Sequence, residues 1–131
     1  MSTIFQKILD GEIPCYKVAE NADFLAFLDV NPLAKGHALV IPKKAVDYIF
    51  DMADNQLAAM HVFAKQVAIA IKQVVPCKKI GMAVIGLEVP HAHIHLVPMN
   101  QVADLNFAGP RAQLTKEDFE TTAAAISQLF I

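Results

Sequence analysis

Short stretches of alternating apolar and polar residues, and one long stretch at helical spacing, divide the chain into elements. Residues 3–9 read as a short helix closed by Asp10 and Gly11. Residues 16–18 and 24–30 alternate as strands that meet near the turn at 20–23. Residues 36–41 follow Asn31-Pro-Leu-Ala-Lys35 and complete a hairpin. Residues 55–75 form the clearest helix, with Leu57, Met60, Ala64, Val67, Ala68, Ile71 and Val75 on one stripe and Asp54 as its expected N-cap. His61 lies beside that stripe and reads as a partly exposed helix residue. Residues 79–85 read as a strand leading back toward 91–97, and 100–110 as loop. Thr115-Lys-Glu-Asp118 resembles a capping box that opens a last helix through Phe119 and Ile126 to Phe130. These elements predict an α+β fold with a mainly antiparallel sheet, one long helix and a C-terminal helix.

The most informative run is Val89-Pro-His91-Ala-His93-Ile-His95-Leu-Val-Pro-Met99. Strict alternation over that length predicts a half-buried strand, with His91, His93 and His95 on one face and Ala92, Ile94 and Leu96 on the core side. Imidazole is the side chain whose ordinary pKa lies closest to physiological pH. Three of the chain's five histidines in one row therefore point to chemistry rather than to packing.

Metal and metal-free chemistry are both open to such a row. The outer two histidines would stand roughly 13 Å apart between α-carbons on a strand, which suits three short zinc bonds poorly. A His-x-His pair with Glu88 and His37 remains the metal alternative. The metal-free reading makes His93 a nucleophile toward phosphorus, flanked by donors to the phosphoryl oxygens. Its far nitrogen must then keep a proton on an acceptor that no sequence pattern identifies.

These residues carry a resemblance to the histidine triad (HIT) family, in the bacterial branch near the Hint-type purine nucleoside phosphoramidases. The family motif is His-x-His-x-His followed by apolar residues, matched by His91-Ala-His93-Ile-His95-Leu-Val97. Ile4-Phe5-Gln-Lys-Ile8 and Gly11-Glu-Ile13-Pro14 resemble the family's opening segment. Phe24-Leu-Ala-Phe27-Leu28-Asp29-Val30-Asn-Pro32 and Gly36-His37-Ala-Leu-Val-Ile-Pro42-Lys-Lys44 resemble its first strand pair.

The resemblance implies a HIT-like fold of five strands per subunit and a homodimer with a continuous sheet. It implies that His93 forms a covalent nucleotidyl-imidazole, that His95 contacts the α-phosphate, and that His91 and His37 support them. Asp29 would hold the ribose hydroxyls, a common solution for a carboxylate, although alone it reads as a strand ending in a turn. Ile4, Phe5, Ile13, Phe27, Leu28 and Val30 would wall the base.

Two departures from the family stand out. Many bacterial members carry Cys-x-x-Cys near the start as part of a structural zinc site; here those positions are Thr3 and Gln6, so no metal and no cofactor is expected. Before the triad, Leu87 replaces an amide and Glu88 a hydroxyl that would assist the leaving group. Glu88 is either a solvated strand-end residue or, with its pKa raised by apolar Leu87 and Val89, a general acid.

Composition narrows the class further. A length of 131 residues suits one domain, 1–131. The formal net charge of -2 and the absence of a basic stripe argue against nucleic-acid binding. Lys43-Lys44 and Lys78-Lys79 read as solvated loop ends; the Gly109-Pro110-Arg111 turn could place Arg111 near a phosphate or expose it, and exposure is the expectation. The high apolar content, 55%, suits a chain that covers part of its surface in an oligomer. Cys15 and Cys77 have no pairing pattern, no segment resembles a signal peptide, and no stretch is apolar enough to span a bilayer, so a cytoplasmic protein is expected. The function expected is metal-independent hydrolysis or transfer at the α-phosphate of purine nucleoside phosphoramidates. The alternatives are a nucleotide-binding sensor with vestigial catalysis and a dinucleoside polyphosphate hydrolase.

Overall fold

The computed structural model describes residues 2–130. In chain order the elements are α1 (Ile4–Leu9), β1 (Lys17–Glu20), β2 (Phe24–Leu28), β3 (Ala38–Pro42), α2 (Asp54–Val74), β4 (Lys79–Ala83), β5 (Ile94–Met99) and α3 (Lys116–Leu129). One-turn 3-10 helices at Ile49–Asp51 and Val102–Asp104 interrupt the connections. The strands form one sheet in the order β1-β2-β3-β5-β4, with every neighbouring pair antiparallel. Among the described residues no helix is long and apolar enough to cross a membrane.

The sheet separates two apolar layers, and strand parity decides which side chain joins which. Phe24, Ala26 and Leu28 of β2, Ala38 and Val40 of β3, and Ile94 and Leu96 of β5 face α2 and α3, meeting Met60, Phe63, Val67, Ile71 and Ile126. Leu25, Phe27, Leu39 and Ile41 face the other way and pack with Phe5 of α1. Both faces are buried, so β2 and β3 are almost continuously apolar rather than alternating. His95 pairs with Leu39 and so falls on the Phe5 side, where the Phe5 ring also meets His91 and His93.

Several boundaries differ from the sequence reading, each for a local reason. Strand β5 starts at Ile94, not at His91. The His91 N–H bonds the Val89 carbonyl at 2.8 Å and the Ala92 N–H bonds the Val46 carbonyl at 2.6 Å, so His91–His93 form an irregular lead-in, bent at His91, outside the ladder. The predicted half-burial is also wrong, because residues 91–98 are all buried. Strand β2 stops at Leu28 because the Asp29 Oδ1 accepts the Asn31 N–H at 2.8 Å and turns the chain. Helix α2 is capped by Ala53, without a side-chain bond; Asp54 is its first helical residue, where a carboxylate still favours the positive helix end. The capping box at Thr115 and Asp118 is present as expected.

Gly36 closes the β2–β3 connection at φ +91. A β-carbon there would lie 2.8 Å from Val75 Cγ2 and 3.3 Å from Pro98 Cγ. Gly36→Ala therefore combines a left-handed backbone penalty with overpacking. Its expected cost is about 2–4 kcal/mol of stability, read as a lowered urea midpoint with unchanged slope.

Candidate functional site

Three backbone segments converge on one imidazole cluster. Asp29 and His37 lie opposite each other just beyond the β2–β3 pairing, where the Asp29 N–H bonds the His37 carbonyl at 2.9 Å. His95 pairs with Leu39 on the neighbouring strand, which makes His37 its diagonal neighbour. The Nε2 of His37 is 3.0 Å from the Nδ1 of His95. The rings of His93 and His95 are 4.9 Å apart, and that of Phe5 stands edge-on to His93 at 5.0 Å.

The hydrogen bonds assign every tautomer. The Leu33 N–H donates to His37 Nδ1 at 2.9 Å, so neutral His37 carries its proton on Nε2 and donates it to His95 Nδ1. His95 must then carry its own proton on Nε2. The Nδ1–H of His93 donates to the carbonyl of His91 at 2.8 Å, leaving Nε2 as a free lone pair. The Nε2–H of His91 donates to the Pro42 carbonyl at 2.8 Å, and its Nδ1 has no partner. His91 is thus a buried brace that carries the acceptor for His93.

Burial keeps the supporting histidines uncharged. It pushes His37 down to about 3, helped by His95 and the Arg111 cation. His95 is pushed down to about 4 by burial, then by His93 and Arg111. Burial also lowers His91, against the opposing effect of its bond to Pro42. Burial raises the Asp29 carboxyl above its ordinary value, offset by the Asn31 N–H and by Arg111. The 3.6 Å approach of Asp29 Oδ2 to His37 Nε2 is therefore a long polar contact with a neutral ring, not an ion pair.

Asp29, His37 and His95 bring possible metal-ligand atoms within 4.8 Å of one another. Both nitrogens of His37 are already engaged, one accepting from Leu33 and one donating to His95. A cation bound by this trio would have to break that chain. Glu88, the other carboxylate considered for a metal set, is not in this trio.

A pocket of about 490 Å³ opens in front of His93 and His95. Ile4, Phe5, Ile13, Phe27, Asp29, Val30, Leu87 and Glu88 all line it, as do Cys15, Leu39 and Asn31. Leu28 borders the pocket, but its side chain belongs to the helix-side core, because its parity points it toward α2. Ile4 and Val30 form the rim and are largely exposed. Leu87 is 89% exposed and Glu88 is exposed beside it, so the apolar neighbours expected to shroud this carboxylate do not do so.

Among the lining residues that sequence reasoning did not place at the site are Cys15, Asn31, Leu39 and Phe107, and for Arg111 it favoured the exposed alternative. Phe107, in the loop after β5, packs its ring 4.6 Å from His95 and 6.1 Å from His37. Arg111 is not an exposed turn residue: it is half-buried, and its two terminal nitrogens donate to the Asn31 and Phe107 carbonyls at 3.2 and 2.8 Å. An aromatic and a cation four residues apart in that loop were the available signal.

The chain is similar to known proteins over most of its length. The HIT domain matches residues 10–102. The adenosine 5'-monophosphoramidase of Schizosaccharomyces pombe is 36% identical over 129 residues, covering 97% of each chain. That of Saccharomyces cerevisiae is 36% identical over 116 residues, 88% of this chain and 73% of its own. A HIT-like protein of Bartonella henselae has a solved structure that matches with a TM-score of 0.84 at 28% identity, over 98% of this chain and 96% of that one. With a family domain over most of its length and full-length relatives above 30% identity, the chain belongs to the histidine triad (HIT) family.

Proposed function

We propose that this protein is a metal-independent nucleotide phosphoramidase whose nucleophile is His93 Nε2. The observation that carries this reading is the His93 Nδ1–H bond to the His91 carbonyl, which makes Nε2 the lone-pair nitrogen of the neutral tautomer. The base would sit among Phe5, Ile13 and Phe27, with the ribose hydroxyls on Asp29. His93 Nε2 would form a bond to the α-phosphorus as the bond to the leaving amine breaks. His95 Nε2–H, oriented through His37 and Leu33, would donate to a phosphoryl oxygen as charge builds there. Glu88 lines the same pocket at its open mouth, on the side where the amine would leave. Water would then cleave the nucleotidyl-histidine and release the nucleoside monophosphate. The adenosine 5'-monophosphoramidase names of the yeast relatives support the same chemistry.

The test is AMP release from adenosine 5'-phosphoramidate in excess chelator, with a dinucleoside polyphosphate as the competing substrate. Exposed Leu87, where a polar leaving-group contact is expected from the resemblance, favours one second reading, a nucleotide sensor. AMP binding without turnover of either substrate would select it.

The same reading includes a two-fold homodimer in the cytoplasm. Strand β4 is a sheet edge, and Met82, Val84, Ile85, Tyr48, Phe50, Val62 and Ile69 are large apolar residues left exposed. Light scattering is expected to return twice the monomer mass, and Val84→Glu to return the monomer.

A further inference from the structure

We propose that Arg111 is the anion-binding residue of the pocket, its guanidinium taking a phosphoryl oxygen of the bound nucleotide. This rests on the nucleotide reading above and deepens it. Its first support is the pocket's charge inventory. Asp29 and Glu88 are the acids that line it, and Arg111 is the one permanently charged base among the described lining residues. A phosphate entering this space meets two carboxylates, and the imidazoles of the cluster hold no compensating charge at His37 or His95. Anion binding there needs a cation, and the chain supplies one.

The second support is geometric. The Arg111 fork is held open by the Asn31 carbonyl on one terminal nitrogen and the Phe107 carbonyl on the other. Its carbon lies 5.9 Å from the Phe107 ring centroid, and that ring packs in turn on His95. Asn31 also turns back to donate its N–H to Asp29, so one loop places the ribose carboxylate and the cation together. Guanidinium has five N–H donors, of which these two bonds use two. The remaining three belong to a half-buried, pre-oriented group that makes no ion pair with any described carboxylate. A group that served only to strap two loops together would not need its charge.

The charge also has a consequence for the reaction. A fixed cation stabilises the phosphoryl oxygens without protonating His93, so the nucleophile keeps its lone pair. Arg111 further opposes protonation of His37 and His95, because like charges repel.

The experiment compares AMP with uncharged adenosine by calorimetry, for the natural protein, Arg111→Gln and Arg111→Lys, with urea midpoints confirming that each variant folds. Expected for Arg111→Gln is a loss of AMP affinity of about tenfold or more with adenosine affinity retained, since a charge-assisted bond is removed. Arg111→Lys keeps the charge and recovers part of the loss. In the natural protein, rising salt weakens AMP binding and leaves adenosine binding unchanged, a result that needs no variant. Equal losses for AMP and adenosine would overturn the proposal and make Arg111 a loop strap, as would AMP affinity that ignores both substitution and salt. Failure of the natural protein to bind either ligand would instead overturn the nucleotide reading, and this proposal with it.

Discussion

His93→Ala is expected to lower AMP release from adenosine 5'-phosphoramidate by about 10⁴-fold or more while the variant still binds AMP. The size follows from the role: without Nε2 no covalent intermediate forms, and the remaining donors only hold the substrate. Retained binding follows from the pocket's construction. Phe5, Phe27 and Leu39 pack with one another on the α1 side of the sheet, so Phe5 keeps its Phe27 contact when the His93 ring is removed. His93 itself ends in a bond to the His91 main chain, so its truncation orphans a carbonyl rather than a side-chain network. Rapid-quench trapping of a labelled nucleotidyl-protein in the natural chain, absent from the variant, measures the same step directly. Turnover in the variant within tenfold of the natural protein would remove His93 as the nucleophile.

Acid is expected to unfold this protein through the same histidines. Above about pH 6.5, His37 and His95 are neutral in both folded and unfolded chains, and pH does not act through them. Below that value the unfolded histidines take up protons that the folded ones refuse, down to about 4 for His95 and about 3 for His37. Stability therefore falls as pH falls through this window, by about 1.4 kcal/mol per pH unit for each proton taken up, and levels off below it. His91, also lowered by burial, adds with the same sign. Urea midpoints collected from about pH 7.5 to about pH 4 should give a slope of more than one proton. His37→Asn should reduce that slope, because it removes one of the titrating groups. A flat profile across the window would mean that the cluster is charged in the folded state, and the tautomer chain from Leu33 to His95 would fall with it.

The two effects share one physical origin, the placement of a polar row on a face that is otherwise core. Leu25, Phe27, Leu39 and Ile41 surround the histidines with hydrocarbon. This desolvates the imidazoles and keeps His37, His91 and His95 from taking up protons. The same desolvation is what acid reverses.

Much of this was legible in the chain. Period-2 spacing put His93 and His95 on one face and Ile94 and Leu96 on the other, because a strand offers no other arrangement. The helical stripe from Met60 to Ile71 and the box at Thr115 and Asp118 were equally readable, since both depend on residues a turn apart. The start of β5 was not readable. Nothing in Pro90-His91-Ala92 announces that Val46 and Val89 will take the N–H groups a continuing strand would use. Half-burial was inferred from alternation, but α1 covers the second face, and histidine at a fully buried position looks the same in a sequence as histidine at a half-buried one.

The sequence by itself determined the family and the row of imidazoles, because these follow from motif and strand parity. Tertiary structure alone decided which nitrogen of each ring carries the proton. The partners that settle it, the Leu33 N–H and the Pro42 carbonyl, come from other strand ends, and the His91 carbonyl points at His93 only because the lead-in leaves the ladder. Tertiary structure also brought Arg111 beside Asn31, 80 residues earlier in the chain. A charge acts through distance in space, and the sequence orders residues along a line.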